Sequence, residues 1–311
     1  MSAVPQTTVA SAGVTVLGSA NMDVVFTVER IPQPGETLLA TSADRYPGGK
    51  GLNQAVAAAR AGAPTTFIGA LGTDENGDAL EVTMAEAAIS SALVRRRPEP
   101  TGQAFIVVDS SGENTIIVAS GANATVTALA DGDRAAIASS VVLLMQLELP
   151  LEVVLSAATE AQSGGVVVML NAAPARELPR ELLERLDYLI VNEHEACLIG
   201  GSDDLDTASS TLASQVGRLI VTLGPDGSVL FDRGAEVGRV AAPRVAAVDT
   251  TGAGDTFCGA FAAAISEGRD LLDAASFATA AAALSVQAIG AVPSVPQRSA
   301  IDAAMEDWAA R

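Results

Sequence analysis

The chain is poor in the residues that most often carry chemistry. Its 311 residues include one histidine, His194, two cysteines, Cys197 and Cys258, and one lysine, Lys50. A single histidine excludes His-rich zinc centres and the HExxH helix. No GxSxG elbow is present, so a Ser-His-Asp triad has no support. Two cysteines without a CxxC form neither a disulfide framework nor a redox pair; they read as reduced core thiols of a cytoplasmic protein. GxGxxG and GxxxxGK[ST] are both missing, which removes the dinucleotide fingerprint and the Walker A loop.

Positive charge is also scarce. Lys and Arg total 18 against 37 Asp and Glu, a formal charge of -19. Such a chain repels nucleic acid and anionic membranes, so neither is an expected partner. The only basic run, Arg95-Arg96-Arg97, reads as a solvated loop. The longest uncharged stretch, Ala274 to Gln297, is mostly alanine and is interrupted by Ser276, Thr279, Ser285, Gln287, Gly290 and two prolines. It reads as a buried helix followed by a Pro-containing loop, not a membrane span. Residues 1–12 have no basic n-region and read as a flexible tail; residues 13–311 read as a single α/β domain.

Hydrophobic residues make up 49% of the chain, which excludes disorder. Short β-branched runs read as strands at Val14–Gly18, Thr65–Ala70, Val141–Met145, Val166–Leu170, Tyr188–Val191 and Leu219–Leu223. Helical spacing fills Lys50–Ala61, Asp74–Ile89, Leu151–Gln162, Glu177–Leu186 and Asp206–Val216. Continuous apolar strands alternating with helices predict a doubly wound, mostly parallel sheet with helices on both faces. Two regions lack helices: about 22–46, and 101–120 with a hairpin of Gln103–Val108 and Asn114–Ala119. They read as antiparallel strands added to the main sheet, forming a small β-sheet lid.

Five motifs stand out. Pro47-Gly48-Gly49-Lys50-Gly51-Leu52-Asn53 runs into an alanine-rich helix whose first turn offers free N–H groups. Its lysine, alone among seventeen arginines, marks a position that wants a compact ammonium. Asp249-Thr250-Thr251-Gly252-Ala253-Gly254-Asp255 follows a strand-like run, Val245–Val248, and opens a helix at Asp255. Glycines there leave amides free to face an anion such as a transferring phosphate, and Asp255 stands where it can take a hydroxyl proton. Asn21 and Asp23 share one side of an extended segment, as sugar hydroxyl ligands or as an Asx turn. Asn192-Glu193-His194-Glu195 offers either oxygen ligands for Mg²⁺ or a capped helix start, with His194 a surface residue. Thr222-Leu223-Gly224-Pro225-Asp226-Gly227 is a turn that either cradles a nucleotide base or closes a hairpin.

Together these segments resemble the ribokinase/PfkB family of carbohydrate kinases. The likeness runs from Val16 to Pro296, and GGKGxN and DTxGAGD match the family's two signatures in order and separation. Gly18-Ser19-Ala20-Asn21-Met22-Asp23, Met145-Gln146-Leu147-Glu148, Asn171-Ala172-Ala173-Pro174-Ala175-Arg176 and Pro293-Ser294-Val295-Pro296 add to it. The resemblance implies ATP-dependent phosphorylation of a sugar hydroxyl, D-ribose at O5 foremost. Alternatives are fructose, deoxyribose or a nucleoside as acceptor, or a non-catalytic binding protein. By the same resemblance the sugar site is Asn21, Asp23, Gly49, Lys50, Asn53 and Glu148. Asp255 is the general base, and Gly252, Ala253 and Gly254 form the anion hole. Asn192 and Glu195 act on Mg²⁺ indirectly. Asn192, Thr222, Gly224, Gly227, Gly254 and Thr279 line the nucleotide site. Asp249, Thr251, Ser285, Ala288, Gly290 and Ser294 hold a monovalent cation, K⁺. The resemblance also implies a homodimer through the lid. Leu52, Thr279 and Gln287 depart from the residues the family usually carries at these places.

Overall fold

The computed structural model describes residues 13–309; the tail expected over residues 1–12 lies outside them. The chain begins with β1 (Val14–Leu17), β2 (Asn21–Thr27), β3 (Ser42–Gly48), α1 (Lys50–Arg60), β4 (Thr65–Gly72), α2 (Glu75–Glu86) and β5 (Ser90–Arg97). It continues through β6 (Gly102–Val108), β7 (Asn114–Ala119), α3 (Asp131–Ser139), β8 (Val142–Met145), α4 (Leu151–Ser163) and β9 (Val167–Asn171). Then come α5 (Arg180–Leu183), β10 (Tyr188–Asn192), α6 (Glu193–Gly200), α7 (Leu205–Ala213), β11 (Arg218–Thr222), β12 (Ser228–Asp232) and β13 (Ala235–Val240). Four helices close the chain: α8 (Ala253–Ser266), α9 (Leu271–Ser285), α10 (Ala291–Ser294) and α11 (Arg298–Ala309).

Nine strands form one sheet in the order β13-β12-β11-β10-β9-β8-β1-β4-β5. All neighbours are parallel except β11–β12 and β12–β13. The period-2 alternation of each strand sorts its side chains into two cores. Val14 and Val16 of β1, Val142 and Leu144 of β8, and Ile190 of β10 join one core with α1, α8 and α9. Leu17, Leu143, Met145, Leu189 and Val191 join the other, with α3, α4 and α7. Burial on both faces is why these strands read as unbroken apolar runs. The chain winds from β1 toward β5, then restarts at β8 on the other side of β1. That reversal sets a crevice beyond the carboxyl ends of the strands.

The second sheet is separate, with the order β3-β2-β6-β7. Its strands come from the two helix-free regions, but they are not added to the main sheet as expected. β2–β3 and β6–β7 are antiparallel, whereas β2–β6 is parallel. The parallel pair arises because α1 to β5 intervenes between the two hairpins, so the second returns in the direction of β2.

Other local readings are corrected. Val245–Val248 is not a strand: β13 already closes the sheet edge, and the Val248 and Asp249 amides instead donate to the Val286 carbonyl. Helical spacing over Glu177–Leu186 yields only α5, which starts after Pro179. Arg95-Arg96-Arg97 ends β5 instead of lying in a loop. Arg95 pairs with buried Asp133, and Arg96 with Asp78 and Glu81. Of the two cysteines, Cys258 is buried and Cys197 half-buried. Among the described residues, no helix is long and apolar enough to cross a membrane.

Candidate active site

The N-termini of α1 and α8 meet beside the carboxyl ends of β9, β10 and β11. Gly259 makes the approach possible: a Cβ there would stand 2.3 Å from the Gln54 carbonyl oxygen and 2.5 Å from the Ala57 Cβ. Each helix starts after a glycine in a positive-φ conformation, Gly49 at +88° and Gly252 at +75°. A Cβ on Gly49 would reach 2.7 Å from the Asn21 backbone nitrogen, and one on Gly252 2.8 Å from the Ala291 Cβ.

Asp255, in the first turn of α8, is buried. Its Oδ2 accepts from Asn53 Nδ2 at 3.0 Å and its Oδ1 from Gln54 Nε2 at 2.9 Å. The amides of Gly254 and Asp255 have no acceptor among the described residues, and Gly254 opens on free space. Unpaired donors at a positive helix end make an anion seat. Lys50, in the first turn of α1, faces the same space, and its ammonium is held above the usual lysine range. The Asp255 charge is the main cause, with Glu148 and Glu195 adding to it and burial opposing. A cleft of about 130 Å³ joins Lys50, Gly252, Gly254 and Asp255 to Asn171, Asn192 and Thr222 at three strand ends. A wider hollow of about 450 Å³ lies against α4, but its Arg134 is paired with Glu160 at 2.7 Å and it contains none of the predicted residues.

On the other side of Lys50 stand further carboxylates. Glu148 accepts from the Lys50 amide at 3.0 Å and from the Ser19 hydroxyl. Asp23 packs its carboxylate onto Gly48, where a Cβ would fall 2.1 Å from Oδ2. Burial, reinforced by the charges of Glu148 and Asp255, raises the Asp23 carboxyl to about 7. The Oδ1 atoms of Asp23 and Asn53 are both buried without a donor among the described residues. Two orphaned acceptors beside a carboxylate suit hydroxyl-bearing ligands. Asn21 is oriented from behind: its Oδ1 accepts from Asn123 Nδ2 at 2.8 Å.

Other predicted residues fall differently. Asn192 and Glu195 cap α6 reciprocally, Asn192 Oδ1 accepting at 2.8 Å and Glu195 Oε2 at 2.9 Å. Burial raises the Glu195 carboxyl, against the Asn192 amide and Lys50. His194 is exposed on α6. Thr222 lines the cleft, whereas Gly224 and Gly227 belong to the β11–β12 hairpin turn. Gly227 is required there because a Cβ would strike the Val240 carbonyl oxygen at 1.9 Å. Thr279 is buried in α9 with its hydroxyl on the Ala275 carbonyl, and it is not among the residues that line the cleft. Asp249 accepts from Thr251 N at 2.9 Å and Gly290 N at 2.8 Å. These bonds outweigh burial and hold its carboxyl below the usual range. Ser285 and Ser294 donate their hydroxyls to carbonyls of their own segments, while Ala288 is exposed.

A family model for "pfkB family carbohydrate kinase" matches residues 11–298. The chain belongs to the PfkB family of carbohydrate kinases. Family members with substantial identity include a ribokinase of Staphylococcus aureus, 40% identical over 91% of this chain and 96% of the relative. A ribokinase of Haemophilus influenzae is 42% identical over 91% and 95%. A solved structure of Arabidopsis thaliana ribokinase complexed with ribose and ATP superposes with a TM-score of 0.89. It shares 34% identity, over 96% of this chain and 99% of that one.

Several site residues were not assigned from sequence. Gln54, Gln146 and Asn171 form a buried amide chain behind Asp255, and Asn123 and Ser19 support Asn21 and Glu148. Their signal was polarity out of place: Gln146 interrupts an apolar run, and Asn171 ends one.

Proposed function

We propose that this chain transfers the γ-phosphoryl group of ATP to the 5-hydroxyl of D-ribose, giving ribose 5-phosphate and ADP. The observation that carries the reading is the meeting of the Asp255 carboxylate with the unpaired amides at the start of α8. The similarity to a relative solved with ribose and ATP supports the choice of sugar and phosphoryl donor.

In this mechanism Asp255 takes the proton of the sugar hydroxyl as its oxygen attacks the γ-phosphorus. A new P–O bond forms, and the bond to the ADP oxygen breaks. The general base contributes about 10²–10⁴-fold. The unpaired amides of Gly254 and Asp255, set after Gly252, face the charge that spreads over the transferring group, and Lys50 adds an ammonium, while the Ala253 amide is taken by the Thr250 carbonyl at 3.2 Å. Asn21, Asp23, Gly49, Asn53 and Glu148 frame the sugar. The buried acceptors of Asp23 and Asn53 are satisfied when sugar hydroxyls donate to them. Thr222 and Asn192 border the phosphate end of the nucleotide site.

Two metal ions belong to this reading. Among the described residues no three carboxylate, thiol or imidazole groups form a metal cage. Mg²⁺ would be carried mainly by nucleotide phosphates and water, with Glu195 and Asn192 at its outer shell. Mg²⁺ supplies charge neutralisation of the phosphates when bound. A hard monovalent cation, K⁺, belongs to the same reading, and Asp249, Thr251, Ser285, Ala288, Gly290 and Ser294 are the residues that would hold it, mostly through backbone carbonyls. The small sheet serves as a lid. Its edge strand β7 exposes Ile116, Ile117 and Val118, which supports a homodimer joined through this sheet. A cytoplasmic location belongs to the same reading, and the two free cysteines support it.

The test is ADP release with ATP and Mg²⁺, with and without K⁺, across ribose, deoxyribose, fructose and adenosine. Turnover that depends on ribose and rises with K⁺ is expected; preference for another acceptor overturns the sugar assignment.

A further inference from the structure

We propose that Gln54, itself oriented by Gln146 and Asn171, is the positioning residue that fixes the Asp255 carboxylate for proton abstraction. The inference rests on Asp255 acting as the base.

Gln54 is fully buried in an alanine-rich helix, and Gln146 nearly so. Buried amides are costly unless their bonds are complete. Gln54 completes its own. Its Nε2 donates to Asp255 Oδ1 at 2.9 Å and to Asn171 Oδ1 at 3.0 Å. Its Oε1 accepts from Gln146 Nε2 at 2.7 Å. Asn171 cannot turn its amide nitrogen toward Gln54 without losing the bond from Nδ2 to the Ile190 carbonyl at 3.2 Å. A reversed Gln54 amide would set its oxygen against the Asp255 carboxylate and the Asn171 carbonyl, and its NH₂ against the NH₂ of Gln146. The orientation of Gln54 is therefore fixed, and it presents a donor to Asp255; Gln146 is the member left short, its Oε1 having no donor among the described residues.

The backbone leaves no slack. The Gln54 carbonyl lies against Gly259, and Gln146 Oε1 lies against Gly18, where a Cβ would stand at 2.2 Å. Asp255 is thus gripped on both oxygens, from the cleft side by Asn53 and from the interior by Gln54. Each oxygen keeps a lone pair, so a grip that fixes the carboxylate plane leaves the acceptor direction free. The charged and titratable groups facing Asp255 are Lys50 from α1, Asp23 from β2, Glu195 from α6 and Cys258 on its own helix. None of them changes in the variants below.

The experiment compares wild type, Gln54→Met, Gln146→Met, the double variant and Asp255→Asn. It reads kcat, the ribose KM, the pH profile of kcat and the melting temperature. Gln54→Met should lower kcat by roughly 10–100-fold. The ribose KM should stay within about threefold, the mark of a transition-state effect. The acidic limb of kcat should move to higher pH, because a donor to the ionised form is lost. Gln146→Met should move both readouts the same way by less, and the double variant should be no worse than Gln54→Met alone. An unchanged pH limb, or additive losses in the double variant, overturns the proposal. If Gln54→Met does not fold, the pH limb of Gln146→Met decides. Activity retained in Asp255→Asn would instead overturn the base assignment, which separates the two failures.

Discussion

Asn53 donates to Asp255 at 3.0 Å while its own buried Oδ1 has no donor among the described residues. One side chain thereby links the proposed proton acceptor to the space proposed for the sugar hydroxyl. Asp255→Asn keeps the shape of this contact and removes the basicity. It should lower kcat by about 10²–10⁴-fold. Ribose affinity, measured by calorimetry, should change little. Loss of affinity with turnover intact would assign Asp255 to binding alone.

Asp23 should make stability depend on pH. Its carboxyl titrates near 7 in the folded chain, against 3.8 for the unperturbed group. Below about pH 4 both states are protonated and the residue is neutral in the balance. Between about 4 and 7 the folded state holds a proton that the unfolded state has released, so stability falls as pH rises. Above about 7 the penalty is complete, of order 4 kcal/mol at most. Asp23→Asn removes that slope. The melting temperature of the variant should gain on wild type as pH goes from 4 to 8; a constant difference would contradict the raised value.

Gly252 combines a φ of +75° with the Ala291 Cβ 2.8 Å from any added side chain. Gly252→Ala should displace the first turn of α8 and with it the unpaired amides proposed to face the phosphate. We expect kcat to fall by about 10²-fold or more, with a stability loss of roughly 1–3 kcal/mol. Gly165→Ala is the control, since Gly165 also has a positive φ, lies outside the site, and its added methyl meets nothing within 4 Å. Equal losses in both variants, by steady-state kinetics, would remove the steric argument.

Gly259 governs how closely α1 and α8 pack. Gly259→Ala should push the helices apart, costing about 1–3 kcal/mol by overpacking. Because the two helices carry Lys50, Asn53 and Asp255, activity should fall in the fraction that remains folded. Denaturant titration and kinetics on the same sample check both effects.

The sequence made the parallel core legible because every central strand is apolar on both faces, as at Val142–Met145 and Tyr188–Val191. It also located the two glycine turns, since few other residues tolerate their dihedrals or contacts. The small sheet was legible as strands but not in its pairing: nothing local in Asn21–Thr27 says that its far neighbour is Gly102–Val108 in parallel. β5 was missed because Arg95, Arg96 and Arg97 interrupt its apolar pattern. The amide chain behind Asp255 was missed for a related reason. Gln54, Gln146 and Asn171 lie far apart in sequence, and only the packed fold turns three misplaced polar residues into one network.

The scarcity of lysine has a further consequence. Lys50 opens α1, so the Lys50–Gly51 bond lies inside the first turn of a packed helix. A lysine-specific endoprotease has this one bond as its target in the chain. Cleavage there requires the helix start to open, so the rate of a single cut becomes a clock for opening of the site itself. A ligand that holds α1 in place slows that clock, whether or not it is turned over.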